Sequence, residues 1–287
     1  MKGIVLAAGK GTRMYPMTLP VCKPLLPVYD KPLIYYPISV LMQAGIRDIL
    51  IIVPPDEMYA FVKLLGDGSD LGLRISYRIQ KVQRGIADAF IIGEQFADGE
   101  EVCLILGDNI FCGSGFAGCF REAADAAKRG GAVVFGYPVE DPRPFGVVEM
   151  DADGRALSIE EKPQHPKSNL IVPGLYFYDG SVCALARTLK PSARGELEIT
   201  DLNRIYLEKE QLRVVRLPDE ITWMDAGNAR SLLRAADMVM QHQKQTSRQI
   251  ACLEEVAWRM GFIPKEQMLA LGQSMKQTDY GQYILSL

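Results

Sequence analysis

The strongest constraint on the fold is an alternation. Short apolar runs are separated by segments with helical periodicity: residues 2–7 (KGIVLA), 48–53 (DILIIV), 74–79 (RISYRI), 102–106 (VCLIL) and 132–137 (AVVFGY). A run that is apolar nearly throughout, rather than at every second residue, reads as a strand covered on both faces, the situation of a parallel sheet. Between the runs, residues 37–44 put Ile38, Leu41 and Met42 on one helical face before a stop at Gly45, and residues 86–96 and 116–128 behave likewise. This predicts an α/β fold with a doubly wound, mainly parallel sheet.

After residue 145 the pattern changes. Residues 145–151, 156–161 and 171–178 are strand-like, with Asp153-Gly154 a turn signal between the first two, so an antiparallel addition is expected. Helices follow at about 198–209 and 228–245, then two short helices and a tail from about 247. Gly261 fits the stop of one of these helices and Pro264 the first turn of the next. With 287 residues, 48% of them hydrophobic, the chain can bury a sizeable core.

Composition also excludes. Lys+Arg is 32 against Asp+Glu 35, a formal net charge of −3, which gives no global attraction for nucleic acid or an anionic membrane. No apolar run is long enough to span a bilayer and the start lacks a secretory h-region, so a soluble cytoplasmic protein is expected. The only histidines, His165 and His242, cannot form a three-His zinc site. The six cysteines include no CxxC and read as small buried hydrophobes in a reducing compartment.

Several motifs carry chemistry. LAAGKGTR, Leu6–Arg13, follows the first strand, where a Gly-rich turn offers backbone N–H groups to phosphates. It is not a P-loop, since Gly9-Lys10-Gly11 lacks that spacing, and Met14 stands where a dinucleotide fingerprint needs its third Gly. Arg13, and Lys23 ten residues on, are cations suited to a triphosphate; the alternative is a tight turn with surface charges. Asp108, in Leu106-Gly107-Asp108-Asn109, sits at a strand's carboxyl end, where a carboxylate can hold Mg²⁺, although Gly-Asp-Asn is also ordinary turn chemistry. Asp225, in Trp223-Met224-Asp225-Ala226-Gly227, could complete that site or be a loop residue, with Asn228 available as a helix cap. Glu160-Glu161-Lys162-Pro163 could place an acid and a base near a sugar phosphate or be a solvated loop, Arg194-Gly195-Glu196-Leu197-Glu198 reads as a charged surface turn, and Thr200 with Asn203 as helix-start chemistry.

The order of the motifs says more than any one of them. LAAGKGTR, KPLLPVYDKPLIYYPI, LGDG, LGDNIF, GVVE, EEKP, GLYFYD, PSARGELEITDLNRIYL and the closing Asp279-Tyr280-Gly281-Gln282-Tyr283-Ile284 run through the whole chain. In this it resembles the sugar-nucleotide pyrophosphorylases, a family of nucleotidyltransferases, and most closely their thymidylyltransferase branch. The resemblance implies a Rossmann-like catalytic domain over 1–246, its nucleotide-binding part about 1–140 and its sugar-binding part about 141–227, with a helical appendage over 247–287. It implies Mg²⁺-dependent transfer of a nucleotidyl group from dTTP, or UTP, to glucose 1-phosphate, giving dTDP-glucose and pyrophosphate for deoxysugar and cell-surface polysaccharide synthesis. A cytoplasmic homotetramer with no nucleic-acid or membrane partner goes with it.

By the same resemblance Leu6, Ala8, Gly9, Gly11, Thr12, Arg13, Lys23, Gln80, Gly85 and Asp108 bind the nucleotide, Gln80 and Gly85 reading the base. Asn109, Gly146, Glu161, Lys162, Val172, Tyr176 and Arg194 line the sugar-phosphate site. Asp108 and Asp225 hold Mg²⁺, and Arg13, Lys23, Asp108, Lys162 and Asp225 are the catalytic set. Glu255 and Arg259 match a second nucleotide site, although an i,i+4 pair is equally an ordinary helix salt bridge. There the usual Phe-Tyr-Gly-His reads Phe111-Cys112-Gly113-Ser114, which removes a stacking ring. Other departures cluster around the base and triphosphate: Ala8, Pro24, the stretch Lys81–Arg84, and Asp88 where Gln is common. A catalytically silent sugar-nucleotide sensor is the alternative from another class, and the five charged residues of the catalytic set speak against it.

Overall fold

Strands that are apolar on both faces must lie inside a sheet covered on both sides, and the runs 2–7, 48–53, 102–106 and 132–137 do, whereas the run 74–79 is an edge strand with Arg74, Ser76 and Arg78 exposed. A computed structural model describes residues 1–113 and 115–287; Ser114, the last of the altered tetrapeptide, lies outside the described residues. The strands are β1 (Lys2–Leu6), β2 (Pro27–Val28), β3 (Lys31–Pro32), β4 (Asp48–Val53), β5 (Arg74–Ile79), β6 (Val102–Leu106) and β7 (Asn109–Cys112). There follow β8 (Ala132–Pro138), β9 (Gly146–Met150), β10 (Ala156–Glu161), β11 (Leu170–Ile171), β12 (Leu175–Tyr178), β13 (Leu212–Arg216) and β14 (Thr222–Asp225). A 10-stranded mixed sheet runs β10–β9–β11–β8–β12–β6–β1–β4–β5, with β13 parallel to β8.

The segment β6–β1–β4–β5 is parallel. From β1 the chain adds β4 and β5 on one side and then crosses to β6 on the other, so strand order reverses between β1 and β6. The crevice beyond the carboxyl ends of strands at such a reversal is where open α/β sheets bind ligands. Successive residues point to opposite faces. Val5, Ile49, Ile51, Cys103 and Ile105 meet Ile38 and Leu41 of the helix Tyr35–Gln43, and Ile4, Leu50, Ile52 and Leu104 meet Phe90, Leu202 and Tyr206. Each such large side chain, fully buried, contributes about 1.5–3 kcal/mol relative to exposure.

Some sequence expectations need correcting. The helix expected over 86–96 is two, Asp88–Ile92 and Glu94–Ala97, meeting at Gly93, where a Cβ would lie 2.8 Å from Ile4 Cδ1. The strand expected over 171–178 breaks at Pro173-Gly174 into β11 and β12, which flank β8 on opposite sides, β11 also pairing with β9 and β12 with β6. Pro264 is the N-cap of the helix Lys265–Ser274 rather than a residue of its first turn. The terminal tail is a helix, Asp279–Ser286, capped by Thr278, whose hydroxyl accepts the Gly281 N–H at 3.0 Å. The stretches read as loops around Asp108 and Asp225 hold β7 and β14, which pair antiparallel with Asn109 opposite Asp225. Among the described residues no helix is long and apolar enough to cross a membrane.

Candidate active site

The reversal between β1 and β6 puts two chain turns side by side. The Gly107 N–H donates to Leu6 O at 2.9 Å, and a Cβ on Gly107 would sit 3.0 Å from that oxygen and 3.1 Å from Ala7 Cα. Glycine at 107 therefore lets the LAAGKGTR loop lie against the turn that carries Asp108. Within the loop Gly11 has φ +62°, a conformation glycine adopts without strain, and its carbonyl accepts the Thr18 hydroxyl at 2.7 Å. Gly9 and Lys10 are exposed, and nothing lies within 4 Å of a Cβ placed on Gly9, so the backbone there is open to a ligand. Thr12–Met14 form a short turn of helix that sends Arg13 to the rim of the cleft.

The β7–β14 ribbon brings the two aspartates together. Asp108 immediately precedes β7, Asp225 ends β14, and the Ala226 N–H donates to Asp108 O at 3.0 Å. Asn109, 3% exposed, locks the ribbon in place: its Oδ1 accepts from Trp223 Nε1 at 2.6 Å and from the Gly174 N–H at 3.0 Å, and its Nδ2 donates to Asp108 Oδ1 at 3.0 Å. Asn109 borders the cleft, but its amide is committed to holding Asp108. Lys23 is buried and its ammonium pairs with the other oxygen of Asp108. Burial, and then the negative charge of Asp108, push the Asp225 carboxyl up to about 6, against smaller opposing effects of Lys23 and Arg13.

Two neighbouring carboxylates with one lysine, paired to Asp108, form a net anionic cluster that a divalent cation would relieve. Among the described residues no group of three or more His, Cys, Asp or Glu could hold a metal by itself. The donor set is thus two carboxylates with places left for phosphate oxygens and water, which suits Mg²⁺ better than a metal held wholly by protein.

A cleft of about 460 Å³ opens beside these aspartates and brings Gly146, Glu161, Lys162, Val172 and Tyr176 together with Arg13, Asp108, Asn109 and Asp225. Gly146 lies against Glu161 and Thr200: a Cβ there would be 3.5 Å from Glu161 Oε2 and from Thr200 Oγ1, an ordinary contact distance. Thr200 donates its hydroxyl to Glu161 at 2.6 Å. Lys162 has φ +45°, a conformation rare outside glycine, and its N–H is held by Phe145 O at 3.0 Å. Strain of this kind persists where the surroundings impose it, and here it turns the lysine into the cleft mouth.

An adjoining hollow of about 210 Å³ holds Leu6, Gly9, Gln80, Gly85 and Arg194, and shares Glu161 and Lys162 with the main cleft. Gly85, at φ +99°, packs its Cα face onto Leu197, whose carbonyl would lie 2.5 Å from a Cβ. Arg194 is anchored by buried Glu198 at 2.9 Å and reaches Glu161 at 3.5 Å.

Other contacts were not legible beforehand. Glu198 and Thr200, read only as turn or helix-start residues, support Arg194 and Glu161. Gln83 donates to Ala8 O at 2.7 Å, tying the stretch after Gln80 to the LAAGKGTR loop. Asp88, 1% exposed, accepts from Gln80 at 2.9 Å and from Arg84 at 2.7 Å. That Asp88 departs from the common glutamine was the one signal that could have found it.

The pair Glu255 and Arg259 lies elsewhere. Arg259 donates to Glu255 at 2.6 Å and Tyr283 donates to the other carboxylate oxygen at 2.6 Å, so Glu255 is fully engaged. Cys112 and Gly113 border a hollow of about 290 Å³ with Met238 and His242; among the described residues of one chain its lining includes neither Glu255 nor Arg259.

Comparison with known proteins agrees with the fold. The nucleotidyl transferase family model matches residues 2–242. The glucose-1-phosphate thymidylyltransferase of Neisseria gonorrhoeae is 56% identical over 287 residues, covering 100% of this chain and 99% of the relative. That of Mycolicibacterium smegmatis is 49% identical over 287 residues, with the same coverage. A Bacillus anthracis structure, provisionally assigned as a glucose-1-phosphate thymidylyltransferase and solved with sucrose, superposes with a TM-score of 0.76 at 41% identity, covering 83% of this chain and 94% of its own. UDP-glucose pyrophosphorylase with UDP-glucose superposes at 0.71 with 23% identity over 84% of this chain and 98% of its own, a likeness of fold alone. With a Gly-rich loop and paired aspartates at the sheet reversal, and these relatives along its whole length, the chain belongs to the nucleotidyl transferase family, among the glucose-1-phosphate thymidylyltransferases.

Proposed function

We propose that the cleft catalyses Mg²⁺-dependent transfer of a thymidylyl group from dTTP to glucose 1-phosphate, giving dTDP-glucose and pyrophosphate. The observation that carries this is the placing of Asp108 beside Asp225, with Lys23 and Arg13, at the strand-order reversal. A phosphate oxygen of the sugar phosphate attacks the α-phosphorus in line, a new P–O bond forms, and the bond to the β-phosphate oxygen breaks. The attacking oxygen is already ionised at neutral pH, so no protein base is needed. What such a reaction asks of a protein is positioning and neutralisation of charge.

The chain's own residues divide that work. The open backbone from Ala8 to Thr12 cradles the triphosphate, Arg13 takes the outgoing pyrophosphate, and Lys23 offsets charge at the α-phosphate. Lys162 and Arg194 hold the sugar phosphate, with Glu161 and Tyr176 along the sugar. Asp108 and Asp225 would hold Mg²⁺, which when bound supplies positive charge to the phosphates. Gln80 faces the base. Since a glutamine amide reads an edge that thymine and uracil share, UTP is proposed as a second, poorer substrate. The cytoplasmic, homotetrameric setting of the resemblance goes with this proposal.

The test is a matrix of dTTP, UTP, dCTP, ATP and GTP against several sugar 1-phosphates, with pyrophosphate release as readout. Release with dTTP and glucose 1-phosphate, abolished by EDTA, is expected. No release with any pair from folded protein in Mg²⁺ would overturn the proposal.

A further inference from the structure

Asp88 occupies an unusual place for a carboxylate. It sits in the first turn of the helix Asp88–Ile92, 1% exposed, under the hollow that contains Gln80 and Gly85. Its two oxygens are used separately: Oδ2 accepts from Gln80 Nε2 at 2.9 Å, and Oδ1 accepts from the Arg84 guanidinium at 2.7 Å. The Arg84 side chain is 54% exposed, so it closes this small network at the surface.

The chemistry of the three groups permits one arrangement. A carboxylate only accepts and a guanidinium only donates. A glutamine amide has a donor end and an acceptor end of almost equal shape, and what surrounds it decides which way it points. Facing a carboxylate, Gln80 must present its –NH₂. Its Oε1 and its second N–H are then left for the hollow. That pair complements an imide edge, as in thymine or uracil, where N3–H donates and the flanking oxygen accepts. Cytosine carries the reverse order, an acceptor at N3 beside an amino donor.

We propose that Asp88 is a positioning residue for base selection: held by Arg84, it fixes the Gln80 amide in the orientation that accepts from an imide N–H and so favours thymine and uracil over cytosine. This rests on the reading of the hollow as the base site of a nucleoside triphosphate.

The arrangement makes an unusual variant informative. In Asp88→Asn one oxygen becomes an –NH₂ group. Arg84 can only donate, so the remaining oxygen stays with Arg84 and the new –NH₂ faces Gln80, which must turn its amide over to accept. The hollow then presents donors where it presented an acceptor. Adding Arg84→Met removes that requirement, leaves the Asn free to offer its oxygen to Gln80, and allows the original orientation to return.

The experiment measures kcat/KM for dTTP, UTP, dCTP and ATP with glucose 1-phosphate in the unaltered protein, Asp88→Asn, Asp88→Asn/Arg84→Met and Asp88→Ala. Mismatched polar groups in a site discriminate strongly, so Asp88→Asn is expected to lower the dTTP and UTP values by about 10–100-fold and to raise the dCTP:dTTP ratio by at least about 10-fold. The double variant is expected to recover most of the dTTP preference. A purely structural role would lower all nucleotides together, and an unchanged dCTP:dTTP ratio in Asp88→Asn overturns the proposal. If that variant is not recovered folded, Asp88→Ala removes the acceptor without adding a donor and is expected to raise the ratio several-fold; no rise overturns the proposal equally. Equal use of ATP and dTTP by the unaltered protein would instead remove the underlying base-site reading.

Discussion

Asp225 is a residue whose burial beside Asp108 works against the fold, and whose proposed role in holding Mg²⁺ would account for its being there. Its carboxyl titrates near 6 in the folded protein because it is buried beside Asp108, against an ordinary value of 3.8. A carboxyl whose folded pKa is raised stabilises the fold below the unfolded pKa, and that stability is lost as pH rises through the folded pKa. The window is about pH 4 to 6, and the shift corresponds to about 2–3 kcal/mol. Asp225→Asn cannot ionise. In EDTA at pH 7.5 it is therefore expected to melt higher than the unaltered protein, with a flatter melting profile between pH 4 and 7.5, while its turnover in Mg²⁺ falls by about 10²–10³. Thermal melts across that range, with pyrophosphate release, measure both; a lower melting point without metal would show that no charge strain is stored there. Gly85 belongs to the same scale. Gly85→Ala forces a Cβ against Leu197 O, so this turn, proposed to face the base, must move; a loss of about 1–3 kcal/mol and a raised KM for dTTP are expected.

At the scale of elements, the β7–β14 ribbon is what makes the two aspartates one site. Its register sets Asn109 opposite Asp225, and Trp223 holds it from one side by its indole N–H and by edge packing on Tyr137 and Phe145. Trp223→Phe keeps an aromatic ring and removes the N–H, leaving Asn109 Oδ1 with only the Gly174 N–H. Loss of a buried hydrogen bond costs about 1–3 kcal/mol. The expected result is a lower melting point and a higher Mg²⁺ concentration for half-maximal rate, with the KM for glucose 1-phosphate little changed. Mg²⁺ titration of initial rates reads it directly, and an unchanged Mg²⁺ dependence would show that Asn109 holds Asp108 without help from Trp223.

For the whole molecule, the last three helices are part of the core rather than an ornament on it. Leu253, Ala257, Ile263, Met268 and Ile284 lie in the same buried cluster as Val5, Ile38 and Ile51. Buried charges also cross the boundary: Lys31 pairs with Asp30 at 2.5 Å and lies 5.5 Å from the Tyr280 ring, while Tyr280 donates to Glu254 at 2.5 Å. Removing residues 247–287 would expose that apolar surface and leave buried polar groups without partners. Truncation at residue 246 is expected to give aggregated or molten protein, checked by solubility and near-UV circular dichroism; a soluble, cooperatively melting product would show the first 246 residues to be a self-sufficient domain.

The sequence by itself determined the α/β alternation and the bounds of β4, β5 and β6, which coincide with the apolar runs 48–53, 74–79 and 102–106. For β4 and β6 it could do so because a strand buried on both faces is apolar nearly throughout, and for β5, an exposed edge strand, because Ile75 and Tyr77 alternate with Arg74, Ser76 and Arg78; both patterns are local properties. The Gly-rich loop, the cations and both aspartates were legible as residue types for a similar reason. Their assembly was not. β7 and β14 are four residues each, with mixed polarity and no period that stands out, and their pairing joins residues more than a hundred positions apart. Only the tertiary structure sets Asp225 against Asp108, buries Lys23 between loop and strand, and folds Gln80 onto Asp88, because strand register and burial arise from the packing of distant segments and leave no mark in the spacing of neighbours.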